Sequence, residues 1–281
     1  MSLPVPDPLP PQKAEIPASQ IKIPSKLRIA RSFGRKAATY RQHAVVQADL
    51  VARIVGLITA CEADNPQLGG SLIDVGCGTG LLADLCRDAG IKSRIVGIDL
   101  AFGALAGRTN TGEPFLHLAA DVEHLPFRPQ TFRGAIAASV LQWLDSPAAA
   151  LSEIAAVLKP SGRLIFSVFV EGSFAELSAT RALYGLPSPV RCPSPGDFEV
   201  SLRAAGFDHI SYEPVTHTVF AADAKANLKS INAIGGTGTE GPSLTRGKLA
   251  DFCRSYEERF RTENGVPLTY KAIVGICKKG L

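Results

Sequence analysis

The stretch LIDVGCGTGLL at residues 72–82 places three glycines at alternate positions directly after an apolar run. Gly76, Gly78 and Gly80 lie where a short buried strand should end and a helix should begin. Glycine adopts positive φ and has no Cβ atom, so such a turn lets a ligand approach the backbone closely. The helix that follows offers unpaired N–H groups to a polar or anionic group. A dinucleotide fingerprint needs its third glycine at position 81, which is Leu81, so the spacing disfavours a nicotinamide dehydrogenase.

Short apolar segments alternate with segments of helical periodicity after this turn. The apolar segments are LIDV, RIVGIDL, PFLHLAA, GAIAAS and RLIFSVF, all between residues 72 and 169. Strands that alternate with helices predict βαβ units, so we expect an α/β fold with a doubly wound, mainly parallel sheet. The closing run TYKAIVGIC at 269–277 predicts a last strand, antiparallel and at the edge of the sheet.

The composition restricts the setting of the chain. Its 281 residues carry a net charge of +4, and its six cysteines form neither a CxxC pair nor a Cys/His cluster. This pattern indicates reduced thiols and predicts neither a disulfide framework nor a metal site. No apolar run approaches the roughly 20 residues of a membrane span, and no secretory signal is recognisable. We therefore expect a cytoplasmic protein with no membrane contact.

Acidic residues follow the next two predicted strands. RIVGIDL brings Asp99 to the tip of the second strand, and HLAADVEHLPF places Asp121 after the third. A carboxylate at the first position can accept both hydroxyls of a ribose, and Asp121 lies where an adenine amino group is expected. The early glycine spacing and the two successive acids resemble the ligand set of class I S-adenosylmethionine methyltransferases.

This resemblance implies a seven-stranded Rossmann-like sheet with helical N-terminal and C-terminal lid insertions, and S-adenosylmethionine as cofactor. Asp74 matches the acid that steadies the glycine loop and helps to hold the methionine end of the cofactor. The implied cofactor-binding residues are Asp74, Gly76, Cys77, Gly78, Gly80, Asp99, Leu100, Asp121, Val122 and Ser139.

The expected domain organisation is one methyltransferase domain over 28–281 behind a leader. The leader, 1–27, holds seven prolines and is expected to be extended and disordered. Within the domain we expect N-terminal helices at 28–60, the cofactor-binding core at 71–170, and insertions that roof the substrate at 171–206 and 220–265.

The outer segments resemble one subgroup of the superfamily. FGRKAATYRQHA at 33–44, LQW at 141–143, LKSINAIGGTG at 228–238 and PLTY at 267–270 are similar to the malonyl-acyl-carrier-protein O-methyltransferases of biotin synthesis. The resemblance implies methyl esterification of the free carboxyl group of a malonyl thioester, carried by acyl carrier protein or by coenzyme A. The alternatives are a small-molecule O- or C-methyltransferase of the quinone type, or a module that binds the cofactor without catalysis.

The implied reaction needs a group that binds the substrate carboxylate. It needs no general base, because a carboxyl group is already ionised at neutral pH. Arg191 in SPVRCPSPGDF matches the arginine that holds the malonyl carboxylate in the subgroup, and a guanidinium binds a carboxylate with two parallel hydrogen bonds. Tyr40 matches a tyrosine near the cofactor, and Gln142 and Trp143 follow strand four, where residues face the methyl donor. Tyr40, Arg191 and Gln142 are the expected catalytic residues. The alternatives are an exposed surface arginine, and core packing for Tyr40 and Trp143.

A basic segment without acids covers residues 16–48. Its cations are Lys22, Lys26, Arg28, Arg31, Arg35, Lys36 and Arg41. Acyl carrier proteins are acidic, so this segment would steer their docking. A solvated helix face, or nonspecific contact with RNA, is the alternative. No aromatic platform is interleaved with the cations, so we expect no nucleic-acid partner.

Overall fold

Two helices precede the sheet. The computed structural model describes residues 26–64, 70–105, 115–144, 147–234 and 246–280, so almost all of the proline-rich leader lies outside the described residues. Helix α1 spans Lys26–His43, beginning two residues before the expected start of the domain, and α2 spans Val45–Asp64. Among the described residues no single helix is long and apolar enough to cross a membrane; α1 and α2 meet that test only as a pair, with an 80° bend between them.

The sheet and its helices follow in the expected alternation. The elements are β1 Ser71–Val75, α3 Leu81–Asp88, β2 Arg94–Asp99, α4 Phe102–Leu105, β3 Phe115–Ala119, β4 Phe132–Ala138, α5 Pro147–Val157, β5 Leu158–Phe169, α6 Ala175–Leu183, α7 Pro195–Ala204, β6 Phe207–Ala221, α8 Ala224–Ala233, α9 Arg246–Phe260 and β7 Val266–Lys279. A short 3-10 helix, Leu141–Trp143, follows β4.

The seven strands form one sheet in the order β3-β2-β1-β4-β5-β7-β6. The first five strands are parallel to one another, and β7 runs antiparallel to both β5 and β6. This arrangement confirms the α/β, doubly wound, mainly parallel fold. Because ligands of such sheets bind at the carboxyl ends of the parallel strands, the turns after β1, β2, β3 and β4 define the edge where a site is expected.

The expectation that the last strand lies at the sheet edge is wrong. Strand β7 lies between β5 and β6, and β6 forms the edge. Most of β7 is buried, whereas β6 exposes residues along most of its length. A strand covered on both faces is apolar at successive positions, and the run AIVGIC of β7 is therefore an interior pattern.

The described residues of the insertion expected at 220–265 form two helices, α8 and α9. Strand β6 continues to Ala221, and the Asp223 side chain then caps α8 by accepting a hydrogen bond of 2.7 Å from the Ala226 N–H. Helix α9 buries Phe252 and Tyr256 although charged residues dominate its sequence. One apolar stripe is enough to fix a helix to a core. The 171–206 insertion likewise contains helices, α6 and α7.

Candidate active site

The glycine turn after β1 is built around positive φ angles. Gly76, Gly78 and Gly80 have φ of 73°, 50° and 71°. A Cβ atom on Gly76 would lie 2.4 Å from Val140 Cγ2, so a side chain there would displace the turn after β4. Around Gly78, by contrast, the nearest described atoms lie 4.0 Å from such a Cβ position. The backbone at Gly78 is therefore open to close approach by a ligand.

Asp99 lies at the end of β2, where its carboxylate is held by two backbone donors. The Gly78 N–H donates to Oδ2 at 2.8 Å, and the Ala101 N–H donates to Oδ1 at 2.6 Å. Burial raises the pKa of Asp99, and these two hydrogen bonds oppose that shift. Each oxygen keeps further acceptor capacity, so the carboxylate is oriented and can still accept hydrogen bonds from a ligand.

A cavity at the carboxyl ends of β1 to β4 joins these features. Many of the residues expected at the cofactor line it: Gly76, Gly78, Asp99, Leu100, Asp121, Val122 and Ser139, together with Tyr40 from α1. The parallel strand order brings these positions together, because the turns after β1, β2, β3 and β4 all end at the same edge of the sheet. Three further candidates, Asp74, Cys77 and Gly80, are not among the lining residues.

These three residues lie in β1 and in the glycine turn that follows it. Asp74 is only 1% exposed in β1. Cys77 is buried, and its Sγ lies 2.8 Å from where a Cβ atom on Gly97 would stand. Gly80 directly precedes α3 and takes a left-handed conformation. Cys77 and Gly80 therefore belong to the turn without lining the cavity, and Asp74 is buried in the strand that leads into it.

Helix α1 covers the cavity. Its lining residues recur at helical spacing: Lys26, Ile29, Ala30, Phe33, Ala37 and Tyr40. A Cβ atom on Gly103 would lie 3.2 Å from Gly34 Cα, so two glycines allow α1 to approach the start of α4 closely. Among these residues the sequence predicts only Tyr40 as part of the site, and it assigns Lys26 to the basic segment. The shared spacing was the available signal, but it does not distinguish a cavity wall from a core face.

Ion pairs attach both ends of α1 to the cavity rim. At one end Lys26 binds Asp121 and Glu123. At the other end Arg41 Nη2 donates to Asp84 Oδ2 at 2.6 Å and to the Thr79 carbonyl at 2.8 Å. Lys26 and Arg41 are therefore engaged within the protein and do not belong to a free basic face.

The pairing at the first end shifts two pKa values. Hydrogen bonding to Asp121 and Glu123 raises the pKa of Lys26 to about 12. Burial by itself raises the pKa of Asp121, but the hydrogen bond from Lys26 and the backbone N–H of Glu123 outweigh it, so that the pKa is lowered. Asp121 is thus an ionised carboxylate at neutral pH, shared between the cavity and α1.

Comparison with known proteins identifies the family. A family model described as "Methyltransferase domain" matches residues 73–166. A malonyl-[acyl-carrier protein] O-methyltransferase from Geobacter sulfurreducens is 33% identical over 267 residues, which cover 90% of this chain and 98% of the relative. A second such enzyme, from Alcanivorax borkumensis, is 30% identical over 92% of this chain and 89% of its own length. The chain belongs to the malonyl-acyl-carrier-protein O-methyltransferase family.

Solved structures agree with this family at the level of the fold. The YcgJ protein from Bacillus subtilis has a TM-score of 0.57 at 19% identity, covering 82% of this chain and 99% of its own. An S-adenosylmethionine-dependent methyltransferase from Thermotoga maritima has a TM-score of 0.51 at 18% identity, covering 88% of this chain and 98% of its own. The family match makes the chain an S-adenosylmethionine-dependent methyltransferase, and the solved structures agree with its class I fold.

The structure does not bring Gln142 of this methyltransferase to the cavity. Gln142 is only 7% exposed and is not among the lining residues. Its Nε2 donates to the Ser139 carbonyl at 2.8 Å, and its Oε1 is buried without a hydrogen bond to the described residues. Ser139 has a φ of 54°, an uncommon conformation for a residue with a side chain. Gln142 therefore supports the turn that places Ser139, and its neighbour Trp143 lines the cavity instead.

Arg191 also lies away from the cavity lining. It is exposed in the segment between α6 and α7, and no hydrogen bond or ion pair joins it to the described residues.

Tyr40, in contrast, lines the cavity. Burial, and to a smaller extent the nearby charge of Asp99, raises the pKa of its hydroxyl. Tyr40 is thus a neutral hydroxyl at physiological pH, whereas Arg191 is a cation without a partner among the described residues.

Proposed function

We propose that the cavity holds S-adenosylmethionine with its ribose on Asp99. The support is the fixed orientation of that carboxylate, whose two oxygens keep acceptor capacity for a pair of hydroxyls. The open backbone at Gly78 suits a ligand that lies against the turn. Leu100, Val122 and Asp121 line the same cavity. The residues present thus fit a nucleoside with a vicinal diol.

Bound S-adenosylmethionine supplies an electrophilic methyl group attached to a positively charged sulfur atom. The contribution of this chain is orientation and exclusion of water. Helix α1 covers the cavity and is held at both ends, by Lys26 and by Arg41. Ser139, in its left-handed conformation, is kept in place by Gln142.

We propose further that the acceptor is the free carboxyl group of a malonyl thioester, which becomes a methyl ester for use in biotin synthesis. The observation that carries this proposal is the extent of the match. The methyltransferase domain accounts for 73–166 only, whereas the relatives with this activity in their names align over about nine tenths of the chain. The described residues that line the cavity include no histidine. A carboxylate acceptor needs no general base, since it is already ionised.

Arg191 stays the proposed handle for the malonyl carboxylate. A guanidinium keeps its charge at any physiological pH and matches the geometry of a carboxylate. Arg191 is exposed and unpaired within the described residues, so its donors are available to an incoming anion. Because Arg191 does not line the cofactor cavity, we place the malonyl carboxylate between Arg191 and the cavity.

We propose acyl carrier protein as the carrier, docked on the exposed side of α1. With Lys26 and Arg41 paired inside the protein, the free cations of this helix include Arg31, Arg35 and Lys36, for which no partner is present among the described residues. We call these three residues the α1 basic face. A positive surface attracts an acidic partner before contact and raises its association rate.

Mass spectrometry of the acyl group tests the proposed reaction. The purified protein is mixed with S-adenosylmethionine and either malonyl-acyl carrier protein or malonyl-coenzyme A, with succinyl-acyl carrier protein as the control for chain length. We expect the malonyl group to gain one methyl group in place of one proton, as an ester that alkali hydrolyses. Methylation of a quinone-type phenol but of neither thioester would support the small-molecule alternative, and cofactor binding without any methylated acceptor would support a non-catalytic module.

A further inference from the structure

Three aromatic side chains meet on one wall of the cavity. Phe33 and Tyr40 project from α1, and Trp143 follows β4. The ring of Phe33 stands edge-on to Trp143 with centroids 5.5 Å apart, and lies 6.2 Å from the ring of Tyr40. All three residues line the cavity, so their rings form part of a continuous wall of the cofactor site.

The charged residues of the cavity lie on the side of β2 and β3. The carboxylates among its described lining residues are Asp99 after β2 and Asp121 after β3, with Lys26 bound to Asp121. The sheet order β3-β2-β1-β4 separates Asp121 from Trp143 by two intervening strands. The side of the cavity after β4 therefore has the ring of Trp143, with Phe33 packed against it, and no described carboxylate, whereas Tyr40 lies closer to Asp99.

This distribution matters because the cofactor carries a cation, the sulfonium, on C5′ of its ribose and away from the two ribose hydroxyls. With those hydroxyls on Asp99, we place the sulfonium on the side of the cavity after β4. The face of an aromatic ring attracts a cation, and tryptophan does so most strongly. Loss of the methyl group turns the sulfonium into a neutral thioether, for which this attraction disappears.

We propose that Phe33 and Trp143, with Tyr40 beside them, bind the sulfonium of the cofactor by cation–π interaction and thereby favour S-adenosylmethionine over its demethylated product. Phe33 and Trp143 are positioning and specificity-determining residues in this account. The inference rests on the cofactor placement proposed above and is independent of the malonyl acceptor. It predicts that the rings contribute roughly 2- to 30-fold to the affinity for S-adenosylmethionine and nothing comparable for S-adenosylhomocysteine.

The chain offers a site-specific test because Trp143 is its only tryptophan. Biosynthetic incorporation of mono-, di- and trifluorotryptophan withdraws electron density from this ring alone, with little change in its size. Calorimetry then measures the dissociation constants of S-adenosylmethionine and S-adenosylhomocysteine for each protein. We expect the first affinity to fall stepwise with fluorination while the second stays within about twofold. Parallel changes in both affinities, or no change in either, would overturn the proposal.

Substitutions of Phe33 give a second measurement. Phe33→Leu removes the ring and keeps an apolar side chain of good helix propensity, whereas Phe33→Tyr keeps an aromatic face. The ratio of the two affinities should fall toward one in Phe33→Leu and stay near that of the unmodified protein in Phe33→Tyr. A ratio that is unchanged in Phe33→Leu contradicts the role of this ring. In Asp99→Ala both ligands should weaken together, and failure of that control would point to the cofactor placement instead.

Discussion

Replacement of Asp99 by alanine probes the structural feature on which the cofactor placement depends. In the protein this carboxylate is partly buried at the end of β2 and receives two backbone N–H groups, from Gly78 at 2.8 Å and from Ala101 at 2.6 Å. Their directions leave acceptor capacity on both oxygens for the ribose hydroxyls. A hydrogen bond to a charged group contributes about 1.5–3 kcal/mol. Loss of one such bond in Asp99→Ala should therefore weaken cofactor binding by about 10- to 150-fold.

Titration calorimetry with S-adenosylmethionine and S-adenosylhomocysteine measures this loss. Both ligands share the ribose, so both affinities should fall by a similar factor. Asp88→Ala is the matched control, because Asp88 is an exposed acid at the end of α3 whose removal leaves the cavity unchanged. Thermal unfolding of the ligand-free proteins shows whether the variant is folded. An affinity within about twofold of the unmodified protein, in a folded Asp99→Ala protein, would refute the ribose assignment.

The pH dependence of binding gives an independent measurement at the same residue. Burial raises the pKa of Asp99 above its usual 3.8, and ribose hydroxyls donate to the ionised form. Binding therefore favours the ionised form and lowers the pKa, so the affinity should be fully present at neutral pH and fall as the pH drops through the pKa of the free protein. In Asp99→Ala this acid-side decrease should be absent. An equal decrease in both proteins would assign the pH dependence to another group.

Three further predictions concern the acceptor side. Arg191→Ala should lower kcat/KM for the malonyl substrate by at least about 30-fold, while the cofactor affinity stays within about twofold. Arg191→Lys should recover little of this activity, because an ammonium lacks the planar fork of a guanidinium. Full activity of Arg191→Ala would contradict the assignment of Arg191 to the malonyl carboxylate. Reversing the charges of Arg31, Arg35 and Lys36 should slow the association of malonyl-acyl carrier protein and flatten its salt dependence in stopped-flow measurements. Turnover of a small malonyl thioester should change little. Equal losses of activity with both substrates would place the α1 basic face in catalysis. Tyr40→Phe should reduce turnover by about 2- to 15-fold, the value of one hydrogen bond, and an unchanged rate would leave Tyr40 a packing residue.

Local patterns in the sequence were sufficient for the central part of the fold. The glycine spacing at Gly76, Gly78 and Gly80 predicted a turn that permits close approach, and the structure shows positive φ at all three. Alternating apolar and helical segments predicted the parallel strands, and Asp99 was expected at a strand tip that the structure places in the cavity. These features depend on residues that are adjacent in sequence, where strand period and glycine conformation act directly.

Long-range packing decided the rest. The apolar run of β7 specified a strand but not its neighbours, and only pairing with both β5 and β6 placed it inside the sheet. Gln142 and Trp143 are adjacent in sequence, yet one supports Ser139 and the other lines the cavity. The pairing of Lys26 with Asp121 joins residues far apart in the chain and changes the charge available at the site. Such contacts depend on the positions that folded elements take relative to one another, and the local sequence of each element does not contain that information.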